Sequence, residues 1–269
     1  MKKNATWYIL IFLGVAFIII MLVFPLAVII NNAFRGGINP YTQALTNHFT
    51  IEALELTIKA TGIAVVFNTL FGLVAAWSLT RFNWKGDKFM TTVIDIPFSI
   101  SPVIAGLLFA LTFGRAGWLQ PVVQALGTKI VFAVPGIILA TVFVTLPFVA
   151  RTVMPVLNAR GVDEEEAASL MGAGGLTIFS KITFPHIKWA FLYGIILCTA
   201  RAMGEFGAVS VISGNLRGKT VTLPLLIEIL YNDFKTIDAF AVSTILVILA
   251  LILLVLKIII EARWFKKKG

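Results

Sequence analysis

The sequence is poor in charged residues and nearly free of cysteine and histidine. Only 13% of its 269 residues are charged, whereas a soluble domain has about 25%. The single cysteine, Cys198, excludes an internal disulfide and a CxxC site. The two histidines, His48 and His186, lie far apart with no nearby ligand residues, so no metal site is expected. This composition excludes a soluble enzyme.

Charge is absent altogether from five long stretches, at 4–34, 60–80, 96–114, 130–150 and 239–256. A helix needs ~20 apolar residues to cross a hydrocarbon core of ~30 Å. With 59% hydrophobic residues and a mean hydropathy of +0.96, the chain is predicted to be an all-α, polytopic membrane protein. We predict a single domain over 1–269 with six transmembrane helices, at about 7–30, 57–79, 91–113, 130–150, 189–213 and 238–256. The first is too long for the apolar region of a signal peptide, so we expect it to be retained.

The distribution of Lys and Arg predicts the orientation of these helices. Arg201 lies within the fifth predicted span, and the other 21 of the 22 basic residues divide 14 to 7 between the two sides. The richer side has Lys2, Lys3, Arg81, Lys85, Lys88, Arg151, Arg160, Lys181, Lys188, Lys257, Arg263, Lys266, Lys267 and Lys268. The positive-inside rule places this side, and both termini, in the cytoplasm. The net charge of +9 then reflects cytoplasmic loops beside a lipid bilayer, and no nucleic-acid partner is expected.

The longest cytoplasmic connection, about 158–188, is too polar to lie in lipid. Asp163 is predicted to cap a helix whose first turn is acidic, and the helix is expected to stop near the glycines at 172–175. A second short helix, about 176–184, is expected to end before Pro185. From the residues alone, this segment is a capped surface helix with solvated charges.

The same connection resembles the EAA loop of ABC importer permeases, whose pattern is E-A-A-x3-G-x9-I-x-L-P. The sequence has EAA at 166–168, Gly172 and ITFP at 182–185, with Phe184 where Leu is usual. The resemblance implies a type I ABC importer permease fold and a short coupling helix that docks on a cytoplasmic ATPase. The residues implied at this contact are Glu166, Ala167, Ala168, Gly172, Ile182 and Pro185.

A second segment, ARAMGEFGAVSVISG at 200–214, resembles CysW-type sulfate/thiosulfate permease subunits, as do the segments IPFSISPV at 96–103 and FVTLPFVAR at 143–151. The resemblance implies a subunit of an ATP-driven sulfate/thiosulfate importer in the bacterial inner membrane. Its implied partners are a second related permease subunit, two ATPase copies and a sulfate-binding protein. Molybdate and tungstate permeases are relatives, so these anions are the alternative substrates.

Within this segment, Arg201 and Glu205 are four residues apart and would share one face of the predicted helix, near mid-membrane. Two interpretations stay open: the pair neutralises itself and fixes the helix in place, or it forms part of a gate on the pathway. The residues predicted for the gate are Arg201, Gly204, Glu205, Phe206, Gly207 and Ser210, with the glycines allowing close helix approach. Pro97 and Pro102 are expected to bend the helix, either as ordinary proline kinks or as bends that open space for this pathway.

The sequence has no G-x-x-x-x-G-K-[ST] loop to bind ATP phosphates. We therefore predict no catalytic residues and no cofactor in this chain, with ATP and Mg²⁺ used by the partner ATPase. A self-sufficient secondary anion transporter is the competing class, but such proteins often show internal repeats and several intramembrane ionisable groups. Because the predicted spans offer hydroxyls and amides but few cations, we expect a wet, weakly binding pathway, with Asn68, Thr69, Ser99, Ser101, Ser210 and Ser213 as its polar side chains.

Overall fold

A computed structural model describes residues 5–82 and 85–265 of the chain, and within these ranges every regular element is helical. The predicted all-α class is confirmed. The α-helices are α1 (Ala5–Ile18), α2 (Phe24–Phe34), α3 (Ile38–Thr46), α4 (His48–Arg81), α5 (Asp87–Ser99), α6 (Pro102–Phe113), α7 (Gln120–Ala125), α8 (Val134–Thr145), α9 (Pro147–Arg160), α10 (Asp163–Leu170), α11 (Gly175–Ile178), α12 (Phe184–Met203), α13 (Gly207–Ile212), α14 (Leu223–Asn232) and α15 (Thr236–Phe265). The lysines at 2, 3, 266, 267 and 268, which contribute to the predicted orientation, lie outside the described residues.

Five continuous segments are long and apolar enough to cross a membrane: Tyr8–Phe34, His48–Arg81, Val134–Arg160, Gly175–Met203 and Thr236–Arg263. Most of these helices extend past the ends predicted for them. The predicted ends were placed where charged residues interrupt the apolar runs, but a charged residue does not end a helix. His48–Arg81, for example, has 34 residues and is ~51 Å long at 1.5 Å per residue.

The prediction of one continuous helix over 91–113 is corrected by the structure, in which this helix is broken. Its two halves, α5 and α6, meet at 106°. Pro97 lies inside α5 and Pro102 opens α6. Since a proline disfavours helical conformation in the residue before it, the bend falls at Ile100 and Ser101. The pair counts as a sixth span only if both halves are taken together.

Two π-helical turns, Ile19–Val23 and Phe179–Thr183, each precede a Phe-Pro pair. The first joins α1 to α2, and the second joins α11 to α12. The wider turn lets the helix continue past a proline that lacks the N–H of an α-helical hydrogen bond. The predicted helix end before Pro185 is therefore wrong, and the chain is helical from Gly175 to Met203.

The core lies where α4, α9 and α12 pack together, and small residues bring these helices close. A Cβ on Gly72 of α4 would lie 2.7 Å from the Val149 Cβ of α9. On α12, Gly194 is packed equally tightly against α9 at Thr152. Close packing of this kind is how helices associate when the solvent is lipid. By contrast, no residue is buried in the most apolar stretch of the first span, Tyr8–Phe34.

Candidate coupling and translocation sites

The segment predicted as a coupling helix forms α10, with an acidic first turn of four residues, 163–166. Val162 is the N-cap residue, and Asp163 is the first helical residue. The predicted capping role of Asp163 is therefore wrong. Its carboxylate still lies at the positive end of the helix dipole, as do the three glutamates after it.

Gly172 ends this helix in a left-handed conformation, with φ +84°. The Gly172 N–H donates to the Ser169 carbonyl (2.9 Å), and the Ala173 N–H donates to the Ala168 carbonyl (3.0 Å). These two bonds form a Schellman motif, in which glycine is favoured because it lacks a Cβ. No atom outside the immediate chain neighbours lies within 4 Å of the place where a Cβ would be. Glycine is thus favoured at 172 by the left-handed conformation of the turn. A side chain at this position would not contact the rest of the protein.

Glu165 attaches α10 to the membrane-spanning helices. Its Oε2 lies 2.8 Å from Arg81 Nε at the end of α4, in an ion pair whose side chains are only 16% and 8% exposed. The N–H is not aligned for a hydrogen bond on this oxygen, but Thr183 Oγ1 donates to the other oxygen at 2.8 Å. The Arg81 Nη1 donates to the Leu157 carbonyl of α9 at 3.2 Å. The pair therefore ties α10 to α4, α9 and the π turn before α12.

Sequence analysis did not select Glu165, because it is one of four consecutive acids and its partner is far away in the chain. A second contact at the same place joins Glu164 Oε2 to His186 Nε2 at 2.8 Å. Together, these two glutamates orient the coupling helix from one side.

The opposite side of the loop is exposed and partly apolar. Leu170, Met171 and Leu176, which we call the coupling patch, are each more than four-fifths exposed. Of the residues predicted at the ATPase contact, Glu166, Ala167, Gly172 and Pro185 are exposed, Ile182 is half-buried and Ala168 is buried. A cluster of exposed apolar side chains beside acids is typical of a protein–protein contact surface.

The prediction of a single helix over 189–213 is also corrected by the structure. The helix ends at Met203, residues 204–206 are not helical, and α13 begins at Gly207. Glu205 lies in this break, and its Oε1 accepts a hydrogen bond from the Ala208 N–H at 2.8 Å. A side chain that binds the free N–H groups of the next helix stabilises such an interruption.

Arg201 and Glu205 do form an ion pair, with Nη1 and Oε2 2.5 Å apart. The pairing spans the end of α12 and the break after it, and does not run along one helix face. Glu205 is buried, whereas the Arg201 side chain is one-third exposed. The glutamate therefore connects Arg201 to the start of α13.

The short helix α13 packs closely on α6, the second half of the bent pair. A Cβ on Gly106 would lie 2.5 Å from the Ala208 carbonyl oxygen, and one on Gly207 would lie 3.0 Å from the Pro102 Cβ. Gly207 thus makes a close approach of the kind predicted, whereas a Cβ on Gly204 would lie 3.7 Å from its nearest neighbour, the Ala200 carbonyl oxygen. Gly106 was missed from the sequence, although Gly106 and Ala110 have the four-residue spacing typical of small-residue packing.

Some of the polar side chains predicted along the pathway bond within the protein, whereas Ser99 and Ser101 are exposed. Asn68 is fully buried; its Nδ2 donates to the Val142 carbonyl (3.0 Å) and to Thr145 Oγ1 (2.7 Å). Val142 lies just before Pro147, where the regular helical hydrogen bonds are interrupted. Ser210 donates within α13 to the Gly207 carbonyl. Thr69 Oγ1 is buried without a partner.

A second ion pair joins two of the membrane-spanning segments, and the sequence analysis missed it. Asp95 of α5 accepts hydrogen bonds from two nitrogens of Arg151 on α9, with Nε 2.5 Å from Oδ1. The signal was present, because Asp95 falls within the predicted span 91–113 and Arg151 directly follows 130–150.

These features were compared with known proteins. Residues 68–266 match the protein family described as the inner membrane component of binding-protein-dependent transport systems. The chain belongs to this family. Among its relatives, the sulfate transport system permease protein CysW of Synechocystis is 46% identical over 256 residues, covering 95% of this chain and 93% of the relative. The sulfate transport system permease protein CysT of Salmonella typhimurium is 33% identical, over 88% of this chain and 86% of the relative.

A solved member of the same fold is a bacterial alginate ABC transporter, crystallised with its pentasaccharide-bound periplasmic protein. One of its chains matches with a TM-score of 0.81 and 17% identity, covering 95% of this chain and 93% of that chain. The predicted permease fold is confirmed. The bent α5–α6 pair and the broken α12–α13 segment are therefore features of a chain with the fold of this permease family.

Proposed function

We propose that this family member is the permease subunit of an ATP-driven importer for sulfate or thiosulfate. The observation that carries the proposal is the 46% identity to the Synechocystis sulfate permease over 95% of the chain. The permease would form the anion pathway, while ATP binding and hydrolysis would belong to a separate ATPase.

In this proposal, α10 and the coupling patch dock on the ATPase. Leu170, Met171 and Leu176 supply the apolar contact, and exposed Glu166 supplies charge beside it. The Glu165–Arg81 ion pair transmits movement of the docked helix to α4 because both side chains are largely buried. Two ATPase copies would serve this subunit and a second, CysT-like permease subunit.

On the other side of the membrane, a sulfate-binding protein would deliver the anion. Sulfate is a hydrated dianion, and its transfer from water into an apolar interior is costly unless donors replace the lost water. The pathway would therefore bind weakly, and tight recognition would remain with the binding protein. The Arg201–Glu205 pair, joined to α13 and through it to α6, would form part of the gate. Both termini would lie in the cytoplasm.

The test is ATP hydrolysis by the complete complex in lipid vesicles. The permease, its CysT-like partner, the ATPase and the binding protein would be purified together and supplied with sulfate, thiosulfate, molybdate or tungstate. We expect stimulation by sulfate or thiosulfate that depends on the binding protein. Stimulation by molybdate or tungstate alone would reassign the substrate, and anion uptake by the permease without ATPase would refute the importer.

A further inference from the structure

The Asp95–Arg151 ion pair lies inward from the end of the helical bundle that Arg81 marks. On α9, Leu157 is level with Arg81, whose side chain binds the Leu157 carbonyl. Arg151 is six residues earlier on the same helix, which is ~9 Å further from this end of the bundle. A further six residues toward the start of the helical segment is Thr145, whose hydroxyl accepts a hydrogen bond from the buried Asn68.

Arg151 is too exposed at this depth to be explained as a buried structural link. Its side chain is 50% exposed and that of Asp95 is 23% exposed. A charged group that faces hydrocarbon costs up to ~2.5–3.5 kcal/mol on insertion scales, the value reached at the centre of the membrane. The exposed side of the guanidinium must therefore face water or another protein surface. Asp95 uses two of its nitrogens, and the remaining N–H groups are left as donors.

The neighbouring elements connect this pair to the gate segment. Asp95 belongs to α5, and the bend at Ile100 and Ser101 leads directly into α6. Residues Pro102 and Gly106 of α6 are the ones that pack on α13. In the bent α5–α6 pair, α5 therefore holds the Asp95–Arg151 ion pair, and α6 packs against α13, whose Ala208 N–H binds Glu205.

We propose that Arg151 is a contact site for the oxyanion in passage, and that Asp95 limits how tightly the anion is held. This inference rests on the proposed transport of sulfate or thiosulfate. A guanidinium presents two parallel N–H groups that match two oxygens of an oxyanion. An unpaired arginine would retain a dianion, whereas a carboxylate on the same guanidinium competes with it and promotes release.

The first test is water accessibility in the complete transporter reconstituted in vesicles. Arg151→Cys would be combined with Asp95→Asn, so that no carboxylate is left unpaired, and treated with a membrane-impermeant sulfonate thiol reagent from each side. Val74→Cys is the matched control, because Val74 is seven residues before Arg81 on α4, at a similar depth, and is 61% exposed on an apolar face. Cys198 is fully buried, so the unsubstituted complex gives the background.

We expect the cysteine at 151 to react, because its position faces water. The cysteine at 74 should not react. Absence of reaction at 151 from both sides, at rest and during ATP hydrolysis, would mean that another subunit covers the pair and would overturn the proposal.

The second test separates anion contact from a structural role. Asp95→Asn leaves Arg151 charged, so both KM and kcat for sulfate uptake should fall, by about tenfold if the anion gains one charged hydrogen bond. Asp95→Asn with Arg151→Gln removes both charges but keeps two amides that can bond to each other. This double variant should assemble and transport little sulfate.

Uptake by the double variant at the unsubstituted rate would show that the pair only joins α5 to α9, and would refute the site. The two proposals fail in different ways. If the unsubstituted complex does not respond to sulfate or thiosulfate, the proposed function fails. If it responds but the variants or the labelling do not behave as described, only the Arg151 site fails.

Discussion

Replacing Glu165 by Gln removes one charge from the ion pair that holds α10 against the end of α4. The amide can still accept the hydrogen bond from Thr183, so the change is confined to the contact with Arg81. That arginine is only 8% exposed and would be left as an unpaired cation. Breaking a buried ion pair costs ~3–5 kcal/mol, whereas a solvent-exposed pair is worth ~0–1 kcal/mol. Because Glu165 keeps 16% exposure, we expect about 3 kcal/mol, the lower end of the buried range.

A loss of this size should increase local opening of α10 about 100-fold, since ~1.4 kcal/mol corresponds to a factor of ten. Hydrogen exchange of the backbone amides in 166–173, measured on the permease in lipid nanodiscs, reports this opening. Asp163→Asn is the matched control, because it makes the same acid-to-amide change in the same first turn at an exposed position. Its loss of a helix-dipole interaction is worth ~0.3–1 kcal/mol, or about two- to fivefold in exchange.

Equal exchange in the two variants would refute the reasoning, because it would mean that the Arg81 contact does not hold the helix. A double variant checks the mechanism from the other side. Replacing both Arg81 and Glu165 by Leu removes the pair without leaving a buried charge, and such replacements are often neutral. The double variant should therefore exchange more slowly than either single leucine variant.

Three further changes test the tight turns and close approaches of the fold. Gly172→Val should strain the left-handed turn by ~1–2 kcal/mol and speed exchange at the end of α10, whereas Gly172→Asn should be tolerated; equal loss of uptake in both would indicate a docking contact. Gly106→Val should lower the thermal unfolding temperature in detergent because it meets the Ala208 backbone, at a cost of ~1–3 kcal/mol, and Gly204→Ala should leave it nearly unchanged. Asn68→Leu should cost ~1–3 kcal/mol in the same assay because it abandons a buried carbonyl, while Thr69→Val, which removes an unpartnered hydroxyl, should be neutral or stabilising.

The sequence was sufficient for the class and for the approximate position of each span. Long uncharged runs carry this information because an unpaired charge in lipid is costly, so that charges are rare within spans. It was not sufficient for the helix ends. His48–Arg81 continues for nine residues before the predicted start at 57, since Glu52, Glu55 and Lys59 end the apolar run but are good helix residues.

Proline shows most clearly what could not be predicted. Pro102 follows a 106° bend, whereas Pro185 lies within a continuous helix. Both begin an α-helical segment, and the rule that disfavours helix before proline applies to both. The difference lies in the preceding turn, since a π turn at Phe179–Thr183 carries the helix past Pro185, as another does before Pro25. The packing of neighbouring helices selects between the two outcomes, and sequence spacing does not encode it.

Ion pairs between residues close in the sequence could be predicted, whereas ion pairs between distant residues could not. Arg201 and Glu205 were paired from the sequence because they are four residues apart, even though the helix between them ends early. Asp95 and Arg151 are separated by 56 residues, and no local pattern joins them. Yet each such residue, taken alone, is a charge that a membrane interior does not tolerate without a partner or water. An isolated charge in a predicted span is therefore best treated as half of a pair, and the search for its other half should include residues just outside the neighbouring spans. Applied to Asp95, that rule includes Arg151, which directly follows the uncharged run 130–150, among the candidates.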